Sequence, residues 1–210
     1  MFVEHLPDDR GQAHTLEAFT AALLLVTGLI FATQATAVTP LSASTSNQHV
    51  ENQASIAAQD LLSTTDASGD LEAALLYYDN GSFVGATDEE GYAGMPPDSH
   101  PLHDPLTEAF GDRQIAFDID VYYPEDGGDE TLAAEMVDMG SPSDNAATAS
   151  VRVALYEDDQ LFDPGDDSGD ESYSGPRLRD EGDHDYFAGP VGGSDTLYTV
   201  VEVRITAWQM

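Results

Sequence analysis

The sequence predicts an α+β protein in which an N-terminal transmembrane helix continues into an amphipathic helix, and this second part packs on a small antiparallel β-sheet. Three observations support the prediction. An uncharged apolar run lies near the N-terminus, a helical spacing of apolar residues follows it, and three later segments alternate apolar with polar residues. Period-two alternation is typical of antiparallel strands with one buried face. Strands and helices do not alternate along the sequence in the way that would predict a parallel sheet, and no internal repeat is visible.

The apolar run comprises the 22 residues 18–39, none of which is charged. A helix of that length spans about 33 Å, close to the roughly 30 Å of a bilayer's hydrocarbon core. So long an uncharged run exceeds the core helices of most domains of this size, and we expect it to enter a membrane. Arg10 precedes the run, the next Arg is Arg113, and there is no Lys. The positive-inside rule therefore predicts a cytoplasmic N-terminus and an extracellular C-terminal region.

Pro40 follows the run and either kinks or ends the helix. Beyond it, apolar residues at intervals of four, three and four predict an amphipathic helix: Val50, Ala54, Ala57 and Leu61. A second helix is predicted to start with Asp70 as its N-cap. Its apolar face comprises Leu71, Ala74, Leu75 and Tyr78.

Turn and loop signals divide the rest of the chain. Asn80-Gly81 predicts a turn, and residues 86–104 are rich in Pro, Gly and acidic residues, which predicts a loop. Asp104-Pro105 predicts the cap and first turn of a short helix that ends near Gly111. Residues 157–194 form a long acidic segment without periodicity, for which we expect an exposed, mobile loop.

Three segments show the alternation expected of strands: residues 113–123, 149–157 and 196–208. Each places Val, Ile, Leu or aromatic residues on one face and charged or polar residues on the other, as in a sheet that packs on one side. Residues 131–139 fit either a further strand or a short helix.

The charge balance excludes several partners. The chain has 40 acidic residues and 6 basic ones, all Arg, for a net charge of −34. Nucleic acids and anionic lipid head groups both require clustered basic residues. Hydrophobic residues make up 41% of the chain, enough for a core, so the acidity does not predict disorder. Self-repulsion of this size is screened in concentrated salt, where the Debye length is about 3 Å at 1 M. Abundant Asp without Lys is the composition that we expect of a haloarchaeal protein.

Candidate chemical sites are few. The acidic cluster of the long loop does not have EF-hand spacing, and we expect a solvated surface; it comprises Asp163, Asp166, Asp167, Asp170 and Glu171. His100, His103 and Asp104 are interrupted by Pro101, which favours a surface loop over a metal site. No Cys is present, and no catalytic signature places Ser, His and Asp together. The sequence therefore predicts a non-enzymatic protein with no catalytic residues, no metal site and no cofactor.

The residues before the apolar run resemble a known processing site. Arg10, Gly11, Gln12 and Ala13 are similar to the cleavage site of archaeal type IV pilin-like proteins, in which a basic and a small residue precede the cut and the apolar helix follows it. The resemblance implies that a prepilin peptidase cuts between Gly11 and Gln12. Residues 1–11 would then be a leader peptide, residues 12–40 a transmembrane and assembly helix, and residues 41–210 an extracellular acidic domain.

The resemblance also implies an assembly role for Glu17, which would be the sixth residue of the mature chain. A carboxylate at the start of an apolar helix is costly when desolvated. In the family its partner is the free N-terminal amine of a sister subunit. In a free anchor the same carboxylate would be solvated in the head-group zone, where the helix dipole favours an anion. Small residues at Ala18 and Ala22, continued by Gly28, Ala32 and Thr36, favour close helix packing.

The function implied is that of a pilin-like structural subunit of an archaeal surface filament or of its assembly machinery. Its partners would be the prepilin peptidase, sister subunits and the lipid bilayer. Two alternatives remain open. One is a single-pass, membrane-anchored binding or adhesion domain that does not polymerise. The other is a secreted domain released after Ala37, where "ATA" resembles a signal-peptidase site.

Overall fold

A computed structural model describes residues 10–87, 91–111, 113–125, 130–164, 172–180, 185–191 and 196–209. For residues 10–13 and 33–50 it describes the backbone alone. The chain divides into two compact units, Met1–Gln48 and His49–Met210. The described residues form an α+β protein with an apolar N-terminal helix and a small antiparallel sheet, as the sequence predicts.

Helix α1 comprises Arg10–Ser68, and the boundary between the two units falls within it. The backbone remains helical at Pro40, so of the two alternatives that the sequence left open there, a kink or an end of the helix, the second is excluded. A proline inside a helix removes one backbone hydrogen bond and costs about 3 kcal/mol.

In the second unit, one face of α1 is buried, and it differs slightly from the predicted stripe. Ala54 and Leu61 are buried as expected, whereas Ala57 is half-buried and Ile56 is 60% exposed. The side chain of Val50 lies outside the described residues. The buried face also includes residues that the stripe omitted: Ala58, Leu62 and Thr65. The Thr65 hydroxyl donates to the Leu61 carbonyl (2.8 Å), which allows this polar side chain to lie in the core.

Helix α2 comprises Asp70–Leu76, and three residues of its predicted face are buried as expected: Leu71, Ala74 and Leu75. Leu76 is also buried, and the helix ends there, so Tyr78 lies in the following strand and the prediction that it belongs to the helix face is wrong. The prediction of Asp70 as N-cap is wrong by one position. Gly69 holds that place with φ 87°, a left-handed conformation that a residue with a side chain adopts only at a cost. Asp70 instead accepts a hydrogen bond from Ser68 Oγ (2.6 Å) in the first turn, where an acidic residue suits the helix dipole.

A small β-hairpin follows, formed by β1 (Tyr78–Asp79) and β2 (Ser82–Phe83). The predicted turn at Asn80-Gly81 is confirmed. Asn80 has φ 49° and Gly81 has φ 85°, and positive φ at both central residues is the geometry that Asn-Gly favours in two-residue hairpins.

A short helix, α3, comprises His103–Leu106 and passes into a single π-helical turn, Thr107–Gly111. The predicted end at Gly111 is confirmed. Asp104 does not cap α3, because Leu102 holds the N-cap position and Asp104 lies in the first turn.

The main sheet has four strands: β3 (Ile115–Pro124), β4 (Thr131–Val137), β5 (Ala147–Tyr156) and β6 (Leu197–Gln209). Their order is β4-β3-β6-β5, and every pair is antiparallel. The three predicted strands are confirmed, and the segment that fitted either a strand or a helix forms β4. Tyr92, from the preceding loop, adds a parallel bridge to Val137 at the β4 edge.

One face of the sheet forms the core with α1 and α2. Ile119 pairs with Ile205, and Val121 pairs with Val203; all four side chains have 0% exposure. The register between β3 and β4 shifts at Ile119/Asp120, which leaves Met136 as an extra residue in β4. A bulge of this kind changes the direction in which a side chain points, and Met136 is accordingly buried together with the adjacent Val137.

The segment after β5 differs from its prediction. The sequence predicted an exposed loop over residues 157–194, but several of its described side chains are buried: Leu161, Phe162, Leu178 and Ala188. Backbone and side-chain bonds fasten the segment to the rest of the unit. Phe162 N donates to the Leu76 carbonyl (2.8 Å), and Tyr198 Oη donates to the Ala188 carbonyl (2.9 Å). The sequence prediction rested on the average composition of the segment, which is acidic. Apolar and aromatic residues spaced through the segment nevertheless anchor it to the rest of the unit at separate points.

Candidate membrane and assembly helix

The described helices include one, His14–Ala32 of α1, that is long and apolar enough to cross a membrane. Its 19 residues span about 28 Å along the helix axis. A signal sequence near an N-terminus has the same length and composition. This segment is the candidate site because none of its residues is buried within the chain itself.

Apolar side chains surround this segment on all sides. Leu23, Leu24, Leu25 and Val26 are consecutive, and successive residues of a helix point about 100° apart. All four are exposed, by 48%, 73%, 75% and 54% respectively. Four consecutive residues together cover every side of a helix, and in an amphipathic helix at least one of them would be polar. This segment therefore has apolar side chains on every side.

Two hydroxyl groups lie within the apolar segment, and both are satisfied by the helix backbone. Thr20 Oγ1 donates to the carbonyls of Leu16 (3.0 Å) and Glu17 (2.9 Å). Thr27 Oγ1 donates to the Leu23 carbonyl (2.7 Å). A hydroxyl bonded within its own helix avoids the cost of an unpaired donor in hydrocarbon. These residues therefore do not oppose insertion.

Glu17 lies at the beginning of the apolar segment, and His14 is its neighbour one turn earlier. The His14 Nδ1 and Glu17 Oε2 atoms are 3.8 Å apart, and the side chains are 83% and 81% exposed. A pair as exposed as this one contributes little, and it is an ion pair only when His14 is protonated. The Glu17 carboxylate is thus accessible to a partner outside the chain. The sequence prediction named Glu17 and missed His14, although their i,i+3 spacing places them on one helix face.

The predicted processing residues occupy the start of α1. The backbone of Arg10, Gly11, Gln12 and Ala13 forms the first helical turn, and their side chains lie outside the described residues. N–H groups in a first turn lack intrahelical acceptors, so this turn is held by fewer hydrogen bonds than the middle of the helix. Cleavage between Gly11 and Gln12 stays a prediction.

Small residues leave the helix surface open at several points. Ala18 and Ala22 are exposed, and a methyl group placed on Gly28 would meet no atom within 4 Å. Open surface at small residues permits close approach of a second helix. The side chain of Thr36, which continued the predicted small-residue spacing, lies outside the described residues.

The second unit carries the acidic surface, and four of its Arg residues contact carboxylates. Arg177 Nη1 lies 2.7 Å from Asp158 Oδ1, and Arg179 contacts the same oxygen atom. On the sheet, Arg204 lies 3.0 Å from Glu202 and its guanidinium is 4.2 Å from the centre of the Tyr122 ring. Hydrogen bonding from Arg204 lowers the pKa of Glu202. The fourth, Arg152, also approaches Glu202 (3.8 Å).

Carboxylates elsewhere on the sheet repel one another. Burial is the largest cause that raises the pKa values of Asp118 and Glu135, and neighbouring carboxylates raise both as well; for Asp118 the hydrogen bond from Met139 N opposes the rise. Burial also raises the pKa of Asp120, against the attraction of Arg204. The Asp118 carboxylate accepts a hydrogen bond from Met139 N (2.9 Å), which fixes its position. The cluster is thus a source of electrostatic strain that concentrated salt would relieve.

The predicted surface location of His100 is wrong. His100 is 2% exposed, and its ring contacts the rings of Tyr77 and Tyr92 at 5.1 and 5.3 Å in edge-on geometry. Its Nδ1 accepts a hydrogen bond from Leu102 N (3.1 Å), which assigns the proton to Nε2. Burial, and secondarily the adjacent His103, lower the pKa of His100 to about 3. The ring therefore stays neutral in the folded protein.

The other two residues of this motif do not join His100 in a metal site. His103 Nδ1 lies 2.8 Å from the Pro96 carbonyl oxygen, and its Nε2 lies 3.3 Å from Asp98. Within the described parts of the chain, no group of three or more His, Asp or Glu side chains has the arrangement of a metal site. In the acidic loop, Asp163 forms a bridge with Ser172, while the remaining four acidic residues of the predicted cluster lie outside the described residues: Asp166, Asp167, Asp170 and Glu171.

Comparison with known proteins identifies the family but gives no activity. No curated protein and no solved structure matches the chain. Residues 10–207 match a family described as a family of unknown function (DUF7288). The match covers most of the chain, including the apolar helix and the sheet, and the protein therefore belongs to this family.

Proposed function

We propose that this member of the DUF7288 family is a non-enzymatic, pilin-like structural subunit of an archaeal surface filament or of the machinery that assembles one. The observation that carries the proposal is an apolar helix exposed on all sides and continuous with a folded acidic domain.

The exposed helix requires an apolar environment. Nine large apolar side chains between Leu16 and Phe31 are between 48% and 75% exposed. Full burial of one such side chain contributes roughly 1.5–3 kcal/mol, so their combined burial contributes on the order of 20 kcal/mol. A bilayer provides that environment before assembly, and sister helices provide it within a filament. The exposed Ala18, Ala22 and Gly28 permit such helices to approach closely.

Glu17 distinguishes an assembly helix from a plain anchor. Cleavage between Gly11 and Gln12 creates an amine five residues before Glu17, and a sister subunit's amine pairs with this carboxylate once both leave the bilayer surface. The accessible, weakly paired state of Glu17 in the single chain supports this role. Pairing offsets the cost of desolvating a carboxylate next to apolar side chains.

The acidic domain lies outside the cell, in concentrated salt. A net charge of −34 with no Lys supports a halophilic archaeal source, and Arg10 supports a cytoplasmic N-terminus. Four Arg residues are engaged with acceptors on the domain surface, which leaves a strongly negative exterior. Such a surface suits a subunit that faces brine and argues against binding to nucleic acid.

The first test is the N-terminal sequence of the protein extracted from native membranes. A mature chain that starts at Gln12 supports the proposal. A start at Val38 indicates a secreted domain, and a start at Met1 indicates an uncleaved anchor that functions as a single-pass binding or adhesion domain. Two variants sharpen the result: Gly11→Ala keeps a small residue before the cut and is expected to be processed, whereas Gly11→Phe is expected to accumulate uncut.

The second test concerns assembly. Glu17→Ala is expected to be cleaved normally and to be lost from sheared surface filaments, because the amine then lacks its partner. Glu51→Ala, which removes an exposed carboxylate farther along the same helix, is the matched control and is expected to assemble. Equal incorporation of both variants would contradict the role of Glu17, and an absence of the wild-type chain from filaments would favour the non-polymerising anchor.

A further inference from the structure

The hairpin turn at residues 80–82 contains a sequence that the turn alone does not explain. Asn80 and Gly81 both have positive φ, and the Asp79–Ser82 pair closes the hairpin beneath them. The turn geometry accounts for Asn and Gly. It makes no requirement of residue 82, where a strand begins and any β-compatible residue fits.

Asn80-Gly81-Ser82 is an acceptor sequence for N-linked glycosylation, which requires Asn, any residue except Pro, and then Ser or Thr. The full sequence has four Asn residues, at positions 47, 52, 80 and 145. Asn80 is the one among them that has a hydroxyl residue two positions later. The acceptor sequence therefore coincides with the tip of a tight turn.

The structure places the acceptor side chain in solvent while its neighbours anchor the hairpin. Tyr78 and Phe83 are 6% and 3% exposed, and their rings pack edge-on with centres 5.3 Å apart. Asn80 is exposed, and its Nδ2 donates a hydrogen bond to Asp79 Oδ2 (2.8 Å). Among the described residues, a methyl group placed on Gly81 would meet Asp185 Cβ, at 3.9 Å. A bulky substituent on Asn80 is thus accommodated without displacement of the core.

We propose that Asn80 carries an N-linked oligosaccharide. The inference rests on the proposed function in one respect, the extracellular location of the second unit, because the modification requires Asn80 on the side where glycan is transferred. The donor is a polyprenyl-phosphate-linked oligosaccharide, and a membrane-bound transferase catalyses the reaction. The bond between sugar C1 and the phosphate oxygen breaks, and a bond between C1 and Nδ2 of Asn80 forms. The lipid phosphate departs with the bonding electrons, and the amide proton passes to solvent.

The test is mass spectrometry of the full chain extracted from native membranes, with sequencing of the peptide that contains Asn80. An oligosaccharide mass on Asn80 is expected in the wild type. Ser82→Ala retains Asn-Gly and the turn but lacks the hydroxyl, and it is expected to lose the added mass completely. Ser82→Thr keeps the acceptor sequence and is expected to retain it. Asn80→Gln is expected to lose it as well.

Treatment of intact cells with an external protease separates this inference from the proposed function. If the protease cuts the second unit and Asn80 is unmodified, the glycosylation is refuted while the topology stands. If the protease does not reach the second unit and Asn80 is unmodified, the topology and the glycosylation are both refuted. An added mass on Asn80 that persists in Ser82→Ala would overturn the assignment of the acceptor sequence.

Discussion

The burial of a neutral His100 makes the stability of the second unit depend on pH in a predictable direction. The pKa of His100 is about 3 in the folded protein, against 6.5 for an unperturbed histidine. Below pH 6.5 the unfolded chain therefore binds a proton that the folded chain excludes. Stability contributed by the neutral ring is present above pH 6.5 and is lost progressively as the pH falls toward 3.

The magnitude follows from these two pKa values. Between pH 7.5 and pH 5, proton binding to the unfolded state lowers the free energy of unfolding by about 2 kcal/mol, as an order of magnitude. Other groups titrate in the same pH range. The contribution of His100 is therefore obtained by subtracting the pH-dependent loss of stability of a variant that cannot titrate at this position from the loss measured for the wild type. His100→Asn retains an acceptor for Leu102 N, and His100→Phe retains the ring volume.

The assay is urea unfolding of the full chain in detergent and concentrated salt at both pH values. Trp208 is the single Trp of the sequence and is 6% exposed on β6, so its fluorescence reports the second unit. Both variants are expected to be less stable than the wild type at pH 7.5, by about 2–4 kcal/mol through lost packing or an unpaired donor. Their further loss on going to pH 5 is expected to be about 2 kcal/mol smaller than that of the wild type. Equal pH-dependent losses in all three proteins would refute the burial of a neutral ring.

Three other predictions concern the same unit. Gly91→Ala is expected to destabilise it by more than about 3 kcal/mol in urea unfolding, because the new methyl would lie 2.4 Å from the Glu135 carbonyl oxygen; Gly69→Ala, with φ +87° but open space, is expected to cost only about 1–2 kcal/mol. Glu135→Gln is expected to raise the midpoint of thermal unfolding in dilute salt and to raise it less in concentrated salt, because salt screens the repulsion from neighbouring acidic charges but not the desolvation of the carboxylate. Ile205→Ala is expected to cost about 3 kcal/mol in urea unfolding through the cavity it leaves, whereas Val200→Ala, at a position 39% exposed, is expected to cost under 1 kcal/mol; similar losses at both sites would contradict the assignment of the sheet's buried face.

Much of the fold was predictable because local patterns carry it. Alternation in residues 113–123 and 196–208 identified β3 and β6, since a strand with one buried face repeats every second residue. Asn80-Gly81 identified its turn, since few other dipeptides adopt positive φ at both positions. The apolar run identified the exposed helix, whose length and composition alone set its need for an apolar environment.

The places where the sequence predictions failed depend on contacts between distant residues. The acidic segment after β5 is fastened by Phe162, whose backbone N–H donates to the Leu76 carbonyl, and by Leu161 and Leu178, which are buried in the hydrophobic core. The burial of His100 requires Tyr77 and Tyr92 on either side of it, and no spacing in the sequence brings these three rings together. The extra residue Met136 follows from the pairing register of β3 with β4.

The sequence by itself determined the apolar helix, the strands, the charge and the acceptor triplet at Asn80, because each is a property of neighbouring residues or of composition. The tertiary structure decided which polar residues are buried and which remain accessible. Burial depends on what the rest of the chain places around a side chain, and that arrangement exists only after folding. His100 and Asn80 show the difference: both lie in segments with turn and loop signals, yet folding encloses one and leaves the other in solvent.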